Sequence, residues 1–183
     1  MKKYIFLLIF MSTISFGQKL TVTPSGLKNS DDINLSYVVI NVDGKNSKEL
    51  YQNTIKYITK NYSNPDQVIK AKIENEYIRF VTHVDNFITI KNSFAKVKMS
   101  TDYAYEMSFK DGKIKFEITS LSMYDSSKIK LDFKGAGFLS GYYIYNNDLE
   151  LKKPDAKEAI ENYFNNQIID IINFIKSSND EKW

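Results

Sequence analysis

The chain has 183 residues, 43% hydrophobic and 14% aromatic, enough to build a packed core and too apolar for a disordered chain. It has 26% charged residues, a formal net charge of +3 and no cysteine, so neither disulfides nor thiol chemistry can contribute. A charge this close to neutral gives no electrostatic case for binding nucleic acid or an anionic membrane.

Residues 1–17 read as a secretory signal peptide. Lys2 and Lys3 form a basic start, residues 4–11 an apolar run too short to span a bilayer, and Ser15-Phe16-Gly17 a small-x-small cleavage site before Gln18. Export to the periplasm or beyond is the expectation, with no transmembrane segment in the mature chain. Lys2 and Lys3 leave with the leader, so the remainder carries +1. Residues 18–34 are polar, with Pro24 and Gly26, and read as a flexible lead-in containing at most a short strand at Leu20 to Thr23. A single domain is expected over 35–176, followed by a polar tail at 177–183.

Leu35 to Val42 is a nearly continuous apolar run, the pattern of a covered strand. Ser47 is placed as the N-cap of a helix. Leu50, Tyr51, Thr54, Ile55, Ile58 and Tyr62 make its apolar stripe, and Asn64-Pro65 stops it. Gln67 to Ile73 and Tyr77 to Val84 alternate around Asn75, which reads as a second hairpin with Ile69, Ala71 and Ile73 facing inward. A short strand is assigned to Phe87–Lys91 and a connection to residues 92–100.

The strongest local signal is Asp111-Gly112 between two alternating runs, read as a type I′ hairpin turn. A two-residue loop pairs Phe109 with Ile114, Met107 with Phe116 and Tyr105 with Ile118, all on one face. Glu106, Ser108, Lys115 and Glu117 fall on the other, as in an antiparallel sheet covered by helices on one side only. Glu106 then sits directly across from Glu117, an unfavourable pair unless Lys115 or a partner offsets it. Beyond Ile118 the apolar parity slips by one residue at Leu121 and Met123, which predicts a β-bulge near Thr119-Ser120. An extra hairpin with a wide glycine-containing turn is expected around 128–146. Asp155 and Glu158 are read as a capping box opening a final helix, with Ile160, Tyr163, Phe164, Ile168, Ile171, Ile172 and Ile175 on its apolar face.

The order strand, helix, four strands, helix resembles an exported bacterial family, domain of unknown function 4468. The likeness is carried by Lys48-Glu49-Leu50-Tyr51, Gln67-Val68-Ile69 and the hairpin from Phe109 to Phe116, and covers about residues 35–124 plus the final helix. The resemblance implies an α+β, two-layer, TATA-binding-protein-like fold: a curved antiparallel sheet with two helices on one face. It implies no activity, and the fold alone does not argue for DNA binding.

Few residues suggest chemistry. His83 is the sole histidine, and Asp85 two residues on along the same strand suits an oriented general base. No nucleophile-elbow serine accompanies them, and a lone histidine has no recognisable metal-ligand partners. Gly135, Gly137 and Gly141 lack the spacing and the following helix of a dinucleotide site, so no cofactor is expected. Lys70, Lys72, Lys113 and Lys115 belong to the solvated sheet face. The expected function is a non-catalytic binding or envelope-associated module with an unknown protein or envelope component as partner. Its surface is either the open sheet face (Arg79, His83, Glu106, Lys115, Glu117) or the aromatic segment Phe138, Tyr142, Tyr143 and Tyr145. The alternatives are a hydrolase using His83 and Asp85, and a structural subunit assembling through sheet edges.

Overall fold

The computed structural model describes residues 18–92, 95–135 and 141–178. Residues 1–17, expected to be a signal peptide, Phe94, Phe138 and the tail beyond residue 178 lie outside the described residues. The elements in chain order are β1 (Leu20–Thr23), β2 (Gly26–Asn29), β3 (Tyr37–Asn41), α1 (Ser47–Asn61), α2 (Pro65–Val68), β4 (Ile69–Ile73), β5 (Tyr77–Asn92), β6 (Ala95–Lys110), β7 (Lys113–Tyr124), β8 (Leu131–Lys134), β9 (Tyr142–Tyr145) and α3 (Pro154–Ser177). A five-stranded curved antiparallel sheet in the order β3-β7-β6-β5-β4 carries the fold, and α1 and α3 pack on one of its faces.

The pairing around Asp111-Gly112 is the expected one: Phe109 with Ile114, Met107 with Phe116, Tyr105 with Ile118. All of these are buried except Ile118, which packs partly buried against the same core. The helices supply the other half, Leu50 and Ile58 from α1 and Ile160, Phe164, Ile171 and Ile175 from α3, none more than 1% exposed. Burying each such side chain contributes about 1.5–3 kcal/mol, which makes this layer the main source of stability. The turn itself is not type I′. Gly112 takes φ +72° but Asp111 is not left-handed, the φ pattern of a type II turn. Contacts to the β3–α1 connection hold it: Ser47 N donates to Asp111 Oδ1 (2.8 Å), Gly112 N to Lys45 O (2.8 Å) and Val42 N to Gly112 O (2.8 Å).

The predicted bulge is present. Ala104 pairs with Thr119 and Asp102 with Ser122, so Ser120 and Leu121 together oppose Tyr103. Ser120 is left-handed at φ +54°. Leu121 and Met123 return to the core face, Met123 only 3% exposed.

Several expectations are corrected. Residues 18–34 are not a loose lead-in: β1 and β2 form a hairpin with Leu20, Val22 and Leu27 buried. Asn165 of α3 accepts from Leu20 N (2.8 Å) and donates to Leu20 O (2.9 Å), and Glu161 accepts from Val22 N (2.7 Å). Residues assigned to a connection at 92–100 belong largely to β6, because β5 and β6 continue past an irregularity between Val84 and Ile88 and bury Ile88, Ile90 and Met99. In β4 only Ile69 is partly covered and Ile73 is 56% exposed, since this edge strand overhangs the helical layer. The pair at 128–146 is not a hairpin: β8 and β9 run parallel, Leu131 opposite Tyr142 and Lys134 opposite Tyr145. The α1 cap is Asn46, one residue before Ser47, in a reciprocal capping box with Glu49 (Glu49 N to Asn46 Oδ1, 3.0 Å; Asn46 N to Glu49 Oε2, 2.9 Å). No capping box opens α3. Pro154 occupies its first turn, and Asp155 pairs instead with Lys91 at 2.7 Å.

Candidate functional site

Strand alternation places Arg79, His83, Glu106, Lys115 and Glu117 together on the face opposite α1 and α3. Three of them form one row with Tyr37, and Lys115 adjoins it. Arg79 is the cross-strand partner of Glu106, Glu106 of Glu117, and Glu117 of Tyr37 on β3. The like-charge pair is offset from both sides. Arg79 Nε stands 3.5 Å from Glu106 Oε1, and Thr119 Oγ1 donates to the same oxygen at 2.9 Å. Lys115 Nζ stands 3.5 Å from Glu117 Oε2, and Ser36 donates its hydroxyl to Glu117. Lys115 also lies over the Tyr37 ring, 5.1 Å from its centroid. Tyr77, a neighbour of this row, has its hydroxyl pKa pushed up to about 12 by desolvation and then by Glu106.

His83 lies four residues along β5 from Arg79, about 13 Å away at the rise of an extended strand. It is clamped between two carboxylates. Nδ1 is 2.8 Å from Asp102 Oδ1, its cross-strand partner, and Nε2 is 3.1 Å from Asp85 Oδ1. Asp102 accepts in turn from the Tyr124 hydroxyl, and Lys128 sits 4.0 Å over the Tyr124 ring. The hydrogen bonds to Asp102 and then Asp85 raise the His83 pKa. Burial pushes the Asp102 carboxyl up, but hydrogen bonds from Tyr124 and His83 outweigh it and hold the group below its ordinary value. Both ring nitrogens are committed to carboxylates, which stabilises the imidazolium form relative to that of a free imidazole. The hydroxyls beside the pair, Ser100 and Tyr124, donate to Asp85 (3.4 Å) and Asp102 rather than to the ring. A general base needs a free lone pair directed at the proton it removes, and this arrangement offers none.

The aromatic segment belongs to the separate β8–β9 sheet. Tyr142 donates to Asp125 Oδ2 (3.2 Å) and Tyr145 to Val22 O (3.0 Å), with Ile144 buried between them. The Tyr143 ring closes over Gly135, where a Cβ would meet it at 3.1 Å. Phe138 lies outside the described residues.

Asp102 and Tyr124, the groups that hold His83, were not legible as partners in the sequence, because the register of β5 on β6 runs through the segment read as a connection. Tyr37 and Lys110 were missed for the same face, on which Lys113 was expected. Together with Val39, Ser108 and Lys115 they line a recess of about 410 Å³ at its turn end. No group of histidine and carboxylate side chains suited to a metal ion occurs among the described residues, and no described helix is long and apolar enough to cross a membrane.

No family model matches the chain, and no curated protein does. Among solved structures, it is similar to a DUF4468 family protein from Bacteroides ovatus at 12% identity and a TM-score of 0.53, covering 81% of this chain and 91% of that one. A TBP-like protein from Parabacteroides distasonis matches at 13% identity and a TM-score of 0.48, over 76% of this chain and 90% of that one. At the identity of the Bacteroides ovatus match the likeness is one of fold, and the chain has the architecture that the resemblance to domain of unknown function 4468 implies: a curved antiparallel sheet covered by helices on one face.

Proposed function

We propose that the protein is an exported, non-catalytic binding or envelope-associated module that uses the open face of the five-stranded sheet. The observation that carries this is the row Arg79, Glu106, Glu117 and Tyr37 with the adjoining Lys115, an ordered set of charges on the sheet face opposite α1 and α3. Ordering long charged side chains on a wet surface contributes little to stability, so recognition is the better account of the row. The basic start, short apolar run and small-x-small site of residues 1–17 support export. The double clamp on His83 weighs against a hydrolase built on His83 and Asp85. Assembly through sheet edges is opposed at both ends of the sheet. Exposed Lys70 and Lys72 blunt β4, and on β3 the Gln18 and Asn29 side chains occupy Val39 N (2.8 Å) and Tyr37 O (3.2 Å).

The test is photocrosslinking in envelope extract, with a benzophenone side chain placed at Val39 or Val81 on the open face and at Lys56 on α1. A discrete adduct from the sheet positions, absent from Lys56, is the expected result. Adducts from Lys56 alone, or from no position, overturn the proposal.

A further inference from the structure

We infer that the recess at the turn end of the open face takes an acidic peptide in extended conformation, recognised through Lys110, Lys113 and Lys115. This rests on the open-face proposal and names one subsite and its ligand class. Lys110 and Lys113 are direct cross-strand partners beside the Asp111-Gly112 turn. Like charges in that position are unfavourable on their own, and neither lysine has an acidic partner among the described residues. Of the acids beside the recess, Glu117 is engaged by Lys115 and Ser36, and Asp111 in the turn accepts from Ser47 N at the start of α1 and pairs with neither lysine. The recess therefore presents uncompensated positive charge over a floor of Tyr37 and Val39. At about 410 Å³ it falls in the size range of small-ligand sites, about 300–1,000 Å³.

Two features favour an extended peptide over other anions. Lys113 and Lys115 point to the same side of β7 two residues apart, about 6.6 Å at the rise of a strand, which is also the spacing of alternate side chains on an extended peptide. The outward backbone groups of Tyr37 and Val39 on β3 are already taken by Asn29 and Gln18. An occupant therefore cannot join the sheet as a further strand and must be read through its side chains. A peptide with carboxylates at every second position and aliphatic residues between them meets both conditions.

The test is fluorescence anisotropy with a labelled peptide of alternating Asp and Val. Its probes are an Asn-for-Asp version, a peptide of the same composition with the Asp residues in one block, and polygalacturonate as competitor. Saturable binding of the alternating peptide is expected. It should weaken at least tenfold in the Lys110→Gln/Lys113→Gln double variant and hold within twofold in Lys70→Gln/Lys72→Gln, which loses the same charge from the β4 edge. Both pairs are exposed, so neither change endangers the fold. Absence of binding, equal losses in the two double variants, equal binding of the block peptide, or complete competition by polygalacturonate overturns the inference. If the alternating peptide fails while open-face crosslinks persist, only this inference falls; if the crosslinks fail too, the open-face proposal falls with it.

Discussion

Deleting Ser120 should leave the fold intact, because Ser120 is the extra residue of the β7 bulge. With it removed, Leu121 falls opposite Tyr103, Ser122 stays opposite Asp102 and Met123 opposite Thr101, so the ladder becomes regular with Leu121 and Met123 still facing the core. The deletion relieves a left-handed non-glycine residue, worth about 1–2 kcal/mol. It also removes the exposed Arg79 Nη2–Ser120 Oγ hydrogen bond of 3.3 Å, worth about 0.5–1.5 kcal/mol. The two nearly cancel, so stability should stay within about 1 kcal/mol of the parent. Deleting Lys115, in the regular part of the same strand, should behave differently. There β6 and β7 pair residue for residue, so either Ile114 or both Phe116 and Ile118 must turn outward. Ile114 and Phe116 are fully buried, and losing one such side chain from the core costs about 1.5–3 kcal/mol. Urea unfolding followed by circular dichroism measures both variants. A Ser120 deletion that unfolds the protein, or that costs as much as the Lys115 deletion, would refute the phase argument.

Tyr105 is 1% exposed, stacks on Phe80 at 5.2 Å between ring centroids, and its hydroxyl has no hydrogen-bond partner among the described residues. A buried unsatisfied hydroxyl costs about 1–3 kcal/mol, so Tyr105→Phe should raise the midpoint of thermal unfolding, and a lowered midpoint would show that the hydroxyl has a partner. His83 gives a pH signature. Its folded pKa lies above the unfolded value of about 6.5 because of Asp102 and Asp85. The stability it adds is fully present below about pH 6.5 and is lost as pH rises through the folded value. Asp102, held low, stays ionised throughout that window. The advantage of the parent over His83→Gln in urea should therefore be largest near pH 5–6 and shrink above it, and a difference that does not vary with pH would contradict the clamp.

The sequence by itself determined what depends on short spacings. Asp111-Gly112 between alternating runs set the β6–β7 register down to the Glu106–Glu117 pair, because a two-residue loop leaves one alignment. The parity slip at Leu121 and Met123 announced the bulge, because side chains alternate with a period of two. The stripes of α1 and α3 were legible from a period near 3.6 residues. Tertiary structure decided whatever depends on partners distant in the chain. Asn165 and Glu161 bind the backbone of β1 across more than a hundred residues, and nothing in residues 18–34 names them. Asp111 was spent on Ser47 N rather than on its own turn, which changed the turn type. His83 acquired Asp102 and Tyr124 through a register that local pattern could not extend past Val84. The parallel pairing of β8 with β9 is likewise a product of packing, since alternation marks a strand but not the direction of its neighbour. Local periodicity specifies which face of an element is buried; only the assembled sheet specifies which charges meet on the face left open.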